Sequence, residues 1–123
     1  MRPERVLIID DEDDIREIAG AGLELGCGWT VLTANCGVDG VATARRERPD
    51  VILLDVMMPD MDGPTVFSHL RADERTRDIP VILLTAKVQV SDRQRYMQIG
   101  VLGVIPKPFD PLTLGEQVMA LLP

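Results

Sequence analysis

At 123 residues the chain is sized for a single domain, residues 1–123, whose folding buries roughly two thirds of the unfolded surface. A formal net charge of −7 argues against a surface for nucleic acid or an anionic membrane. Cys27 and Cys36 lack metal-ligand spacing, His69 is the only histidine, and only four apolar residues separate the N-terminal segment from Asp10; a structural zinc site, a signal peptide and a membrane span are all disfavoured, and a soluble cytoplasmic protein is expected.

Val6-Leu7-Ile8-Ile9 is short, apolar and largely β-branched, which predicts a buried strand delivering the acids at 10–14 to its C-terminal end. Glu12, Asp13 and Asp14 complement the dipole of a following helix. Asp10 and Asp11 precede that helix and are placed to face a ligand. Ile15, Ile18, Gly22 and Leu25 recur at helical spacing and predict a helix over 13–25 with that stripe toward a sheet. Gly20, Gly22 and Gly26 superficially imitate a dinucleotide fingerprint, but the third falls one residue late and at a helix end. They fit close packing and a helix stop at Gly26 or Gly28 instead.

Thr30–Ala34 is the second expected strand, with Trp29 packing at its start. Gly37–Glu47 is the second helix, carrying Val38, Val41, Ala42 and Arg45 before Pro49 ends it. Val51–Asp55 is a continuous apolar run left through Pro59, Asp60, Asp62 and Gly63. It reads as a strand buried on both faces, with Asp55 at the sheet edge where α/β proteins bind ligands.

Gly63-Pro64 opens the third helix, with Val66, Phe67 and Leu70 buried, His69 at the edge of that stripe or in solvent, and a charged exit over 71–78. Residues 79–84 form the fourth strand, ending in Thr85, so that a hydroxyl takes the place the carboxylates hold elsewhere. A fourth helix over 91–99 has a weak stripe of Tyr96, Met97 and Ile99. A fifth strand over 101–105 leads to Pro106-Lys107-Pro108-Phe109, in which the Lys107–Pro108 bond is a candidate for the cis form. Asp110 and Pro111 supply the cap and first-turn proline of a last helix with Leu112, Leu114, Val118 and Leu121 on one side. Five strands alternating with five helices imply a parallel sheet between two helical layers.

With these strands adjacent, Asp10, Asp11, Asp55, Thr85 and Lys107 project from one sheet edge. Clustered carboxylates require opposite charge, and Mg²⁺ supplies it through oxygen ligands and retained waters. Asp11 and Asp55 are expected to ligate the ion directly and Asp10 to orient a bound water, with the Met57 backbone carbonyl in reach. A carboxylate so placed can act as a nucleophile toward phosphorus. The metal, the Lys107 ammonium and the Thr85 hydroxyl would then hold the phosphoryl oxygens.

Asp10-Asp11, Asp55 with Met58-Pro59 and Asp62-Gly63, Thr85-Ala86, and Lys107-Pro108-Phe109 occur in order, each after its strand. From end to end the chain resembles the receiver domain of two-component response regulators. The resemblance implies a flavodoxin-like three-layer sandwich with strand order 2-1-3-4-5 and a phosphoryl group taken by Asp55 from a histidine kinase or phosphotransfer protein. It further implies that Thr85 is drawn toward the phosphoryl group, so that the face of the fourth helix, fifth strand and fifth helix changes its affinity for a downstream protein or output domain.

Receivers usually carry Tyr or Phe three residues before the lysine, and here that place holds Val104. A switch read mainly through the loop after the fourth strand is therefore expected. Met57 and Lys87, two residues after Asp55 and Thr85, occupy positions that tune the lifetime of the phosphorylated state; Met57 cannot polarise an attacking water, so self-dephosphorylation should be slow. A haloacid-dehalogenase-like phosphatase would want an Asp where Met57 stands. A degenerate receiver, binding partners without phosphorylation, is the other alternative. Arg93 and Arg95 are compatible with a phosphorylation-dependent homodimer face, although a solvated helix surface accounts for them more simply. A stand-alone receiver and a piece of a longer regulator both fit this chain.

Overall fold

The computed structural model describes residues 3–86 and 89–123. Its elements follow in the order β1 (Arg5–Ile9), α1 (Asp13–Cys27), β2 (Thr30–Ala34), α2 (Gly37–Glu47), β3 (Val51–Asp55), α3 (Gly63–Arg71), β4 (Val81–Thr85), α4 (Val90–Ile99), β5 (Gly103–Pro106) and α5 (Leu114–Leu121). The strands form one parallel sheet in the order β2-β1-β3-β4-β5. This is the flavodoxin-like arrangement. Alternation along each strand divides the core into two layers. Leu7, Ile9, Ile52, Leu54 and Leu83 pack beneath α2, α3 and α4, whereas Val6, Ile8, Leu53, Ile82 and Leu84 pack beneath α1 and α5. The central strands β3 and β4 are buried along their whole length, which is why their sequences are uniformly apolar. Among the described residues, no helix is long and apolar enough to cross a membrane.

The helix faces depart from the expected stripes in an instructive way. α1 runs on to Cys27, with Gly28 in the left-handed conformation at its C-cap, and buries Ala19, Gly20 and Leu23. Ile18 is 45% exposed and Leu25 89% exposed, so the predicted stripe of Ile15, Ile18, Gly22 and Leu25 is not the sheet-facing one. Small residues face the sheet because α1 lies close to its neighbours. A Cβ on Gly22 would sit 2.4 Å from the Pro111 carbonyl oxygen, and one on Gly115 would sit 2.1 Å from Cys27 Sγ. The α1–α5 seam is thus closed from both sides by glycine.

α5 starts later than expected. Asp110 caps a preceding turn, accepting the Leu112 N–H at 2.9 Å while its carbonyl accepts the Thr113 N–H at 3.1 Å, and Thr113 holds the N-cap position of the helix. Leu112 lies on that turn, exposed rather than on the buried side. In α4 only Tyr96 is buried, while Met97 and Ile99 are partly open to solvent. Strands β4 and β5 each begin two residues after the apolar run does, because Ile79, Pro80, Val101 and Leu102 approach the sheet as loop. His69 is exposed.

Two substitutions in one helix should act with opposite sign. Gly22→Ala is expected to lower unfolding free energy by about 2 kcal/mol through overpacking against the α5 approach. Gly26→Ala, where a Cβ meets nothing within 4 Å, should raise it by about 0.5 kcal/mol through helix propensity. Urea denaturation of both variants, with unchanged m-values, checks the pair.

Candidate functional site

The register of the sheet brings the predicted residues together. Ile9 pairs with Ala34 and Leu54, Asp55 with Leu84, and Thr85 with Pro106, so the strands end nearly level. Asp10 follows β1 directly, and its N–H continues the ladder to the Ala34 carbonyl at 3.1 Å. Its carboxylate is fully buried, one oxygen accepting the Glu12 N–H at 2.9 Å and the other the Lys107 ammonium at 2.8 Å. Asp55, the last residue of β3, is 5% exposed and accepts Lys107 Nζ at 3.0 Å. Lys107 enters from beyond β5, anchored by its N–H to the Thr85 carbonyl at 2.9 Å, and the Lys107–Pro108 bond is cis. Thr85 itself is buried at the end of β4.

Asp10, Asp11 and Asp55 each offer a carboxylate oxygen within 4.8 Å of the others. Among the described residues one ammonium, that of Lys107, pairs with two of these three groups, so full ionisation would leave negative charge there uncompensated. Burial raises the Asp55 pKa first; the Lys107 hydrogen bond opposes this, the Asp10 charge adds to it, and the carboxyl is pushed up to about 6. Burial alone would lower the Lys107 pKa, but hydrogen bonds to Asp10 and Asp55 hold it above the usual lysine value. A hard, oxygen-seeking divalent cation matches this donor set and its unbalanced charge.

Three features were not anticipated from sequence. Lys107 is shared between Asp10 and Asp55 rather than assigned to Asp55 alone. Asp10 also anchors α1 through its backbone, because its carbonyl accepts Arg16 Nη1 at 2.8 Å. The loop after β3 is tied to a helix it does not lead into: Asp60 accepts the N–H groups of Gly37 and Val38 at 3.0 and 2.9 Å. The missing signal was available in part, since Cys36 offers α2 neither a hydroxyl nor a carboxylate as a cap. Met57 lies exposed on the same loop, its N–H 3.5 Å from Asp55 Oδ1. Lys87 lies outside the described residues.

A doubly wound parallel sheet with acids and a lysine converging at its C-terminal edge defines a flavodoxin-like α/β protein with an acidic site at the strand ends. The family model described as the response regulator receiver domain matches residues 6–119, and the chain belongs to that family. It is 43% identical over 118 residues to the DNA-binding dual master transcriptional regulator RpaA of Synechocystis sp., covering 96% of this chain and 48% of that protein. It is 40% identical over 121 residues to the probable transcriptional regulatory protein TcrX of Mycobacterium tuberculosis, covering 98% of this chain and 50% of that one. The chain thus spans about half the length of these curated relatives. Among solved structures, the chemotaxis response regulator CheY4 of Vibrio cholerae superposes with a TM-score of 0.89 at 32% identity, over 96% of this chain and 98% of that one.

The raised Asp55 pKa makes stability depend on pH. Unfolded, Asp55 ionises near the ordinary aspartate value of about 3.9; folded, it holds its proton to about 6. The Asp55 contribution to stability is therefore complete below that lower value, falls as pH rises through about 6, and levels above it. In metal-free buffer, Asp55→Asn should exceed wild type in stability by on the order of 2 kcal/mol at neutral pH and lose that advantage in acid. Urea denaturation across the acidic-to-neutral range measures the difference.

Proposed function

We propose that residues 1–123 form one cytoplasmic receiver domain that accepts a phosphoryl group on Asp55 from the phosphohistidine of a histidine kinase or phosphotransfer protein. The observation that carries this reading is the Lys107 ammonium held between buried Asp10 and Asp55, within a cluster of three carboxylates. Asp10, Asp11, Asp55 and the Met57 carbonyl would hold Mg²⁺, Asp10 through a bound water. The ion, when bound, neutralises the acidic cluster and withdraws charge from phosphoryl oxygens.

The protein's own part in the transfer follows from its groups. An Asp55 carboxylate oxygen attacks phosphorus in line; the new O–P bond forms as the P–N bond to the donor imidazole breaks, and the imidazole leaves with the electron pair. Lys107 holds that carboxylate before transfer and turns to a phosphoryl oxygen after it, a change that a single point charge makes without relocating its backbone. The Thr85 hydroxyl, at the neighbouring strand end, donates to a second phosphoryl oxygen. Burial of Asp55 and Lys107 limits the water that competes for the acyl phosphate.

Movement of Thr85 would shift the loop after β4 and alter the α4–β5–α5 face for a downstream protein or output domain. Val104, on β5 and partly buried against the core, offers no aromatic ring to report that movement. The net charge of −7 favours a protein rather than nucleic acid as the direct partner of this domain. Self-dephosphorylation is expected to be slow because Met57 cannot orient a hydrolytic water.

Intact mass after incubation with acetyl phosphate and Mg²⁺ tests the acceptor: one added phosphoryl group is expected, absent from Asp55→Asn and without Mg²⁺. No gain while Mg²⁺ demonstrably binds would favour a receiver that binds partners without phosphorylation. Thr85→Ala should keep the phosphoryl gain but lose the amide shifts on α4, β5 and α5 seen by NMR; equal shifts in both proteins would remove Thr85 from the switch. The phosphorylated wild type should decay over minutes or longer, and decay within seconds would reject the proposed role of Met57.

A further inference from the structure

The loop joining β3 to α3 carries Met57, and its two ends are closed locally. The Gly63 N–H donates to the Val56 carbonyl at 2.7 Å, and the Asp62 carboxylate caps α3 by accepting the Thr65 N–H at 2.8 Å. A Cβ on Gly63 would lie 2.9 Å from the Asp55 carbonyl oxygen, so the loop returns against the strand it left. Its tip is secured elsewhere. Asp60 Oδ1 accepts the Gly37 N–H at 3.0 Å and Oδ2 the Val38 N–H at 2.9 Å, both in the first turn of α2. These N–H groups hold the Asp60 pKa below the usual carboxylate range.

α2 depends on this imported carboxylate. Its own N-cap residue, Cys36, has an extended backbone suited to capping, yet its side chain makes no capping bond. Contact reinforces the tie: a Cβ on Gly37 would lie 3.0 Å from both Met61 Cβ and Val66 Cγ2, so the α2 start is seated on the loop and on α3. One carboxylate therefore joins two structures, the α2 N-terminus and the loop that begins at Asp55.

We infer that Asp60 is a positioning residue for the cation site, because its clasp on the α2 N-terminus fixes the loop that presents the Met57 carbonyl beside Asp55. The inference rests on the reading of Asp10, Asp11, Asp55 and Met57 as Mg²⁺ ligands. Asp60 touches neither the ion nor the phosphoryl group. It acts through the loop, and its role is separable from helix capping as such.

The separation is made with Asp60→Ala, Asp60→Asn and the double variant Asp60→Ala/Cys36→Asp, which returns a carboxylate cap from within α2 and leaves the loop untied. Stability is read by urea denaturation, tethering by hydrogen exchange at the loop amides, and Mg²⁺ affinity by calorimetry on the full chain. Asp60→Ala is expected to lose stability, exchange faster in the loop and bind Mg²⁺ about fivefold more weakly. Asp60→Asn, with one acceptor oxygen left, should recover part of each. The double variant should regain stability but keep the weakened affinity and fast loop exchange.

Recovery of affinity together with stability in the double variant would overturn the inference and leave Asp60 as a helix cap only. Wild-type affinity in Asp60→Ala would overturn it equally. A wild-type protein that fails to bind Mg²⁺ at millimolar concentration would instead remove the metal reading itself, and the positioning role with it.

Discussion

The arrangement depends on one part-buried ammonium shared by two buried carboxylates. Lys107 lies 2.8 Å from Asp10 and 3.0 Å from Asp55, and these partners come from three different strand ends. An ion cluster of this kind is expensive to desolvate and is tolerated only with close geometry and filled hydrogen-bond positions. The sheet supplies that geometry. Parallel register sets β1, β3 and β5 to end at one level, and the Lys107 N–H bond to Thr85 extends the β4–β5 ladder to the lysine itself. A one-residue slip of β5 would turn Lys107 to the opposite face and leave Asp10 and Asp55 without their cation.

The helices serve the same edge by different means. α1 must start immediately after Asp10 and Asp11, and the Asp10 carbonyl holds Arg16 within its first turns. Gly22 and Gly115 then let α1 and α5 approach closely, which brings the turn over 110–113 beside α1 just after Lys107 and Pro108. The opposite layer is organised around the β3–α3 loop, whose Asp60 and Asp62 cap α2 and α3 respectively. Asp60 and Asp62, acids outside the cluster at the sheet edge, thus serve helix N-termini, where the dipole favours them.

What was legible in the sequence was local. Asp10, Asp55 and Thr85 each close an uninterrupted apolar run, and Lys107 follows β5 by one residue, so strand-end chemistry could be read without knowledge of the fold. The sheet-facing side of α1 could not. Large residues mark a helical stripe most visibly, but α1 buries Ala19 and Gly20 along with Leu23, and its tight seam at Gly22 is with the approach to α5, nearly a hundred residues away. The α5 start was placed too early because Asp110-Pro111 resembles a cap with a first-turn proline, and only the fold shows that Asp110 closes a turn ahead of Thr113. Asp60 looked like an ordinary turn residue, since neither hydrophobic period nor motif spacing records a hydrogen bond to residues 37 and 38.

Burial and gathered charge at the sheet edge act together on the same carboxylates. Asp55 is pushed up to about 6 first by its burial, with the Lys107 hydrogen bond opposing and the neighbouring Asp10 charge adding to the shift. Any cation bound there by the native state alone would add stability as RT ln(1 + L/Kd), with L the free cation concentration. That stabilisation and the raised Asp55 pKa both follow from carboxylates gathered at a buried sheet edge. A neutral, better-packed edge would make a firmer domain, but it would lack the acidic cluster of Asp10, Asp11 and Asp55 that gives this edge its attraction for a cation.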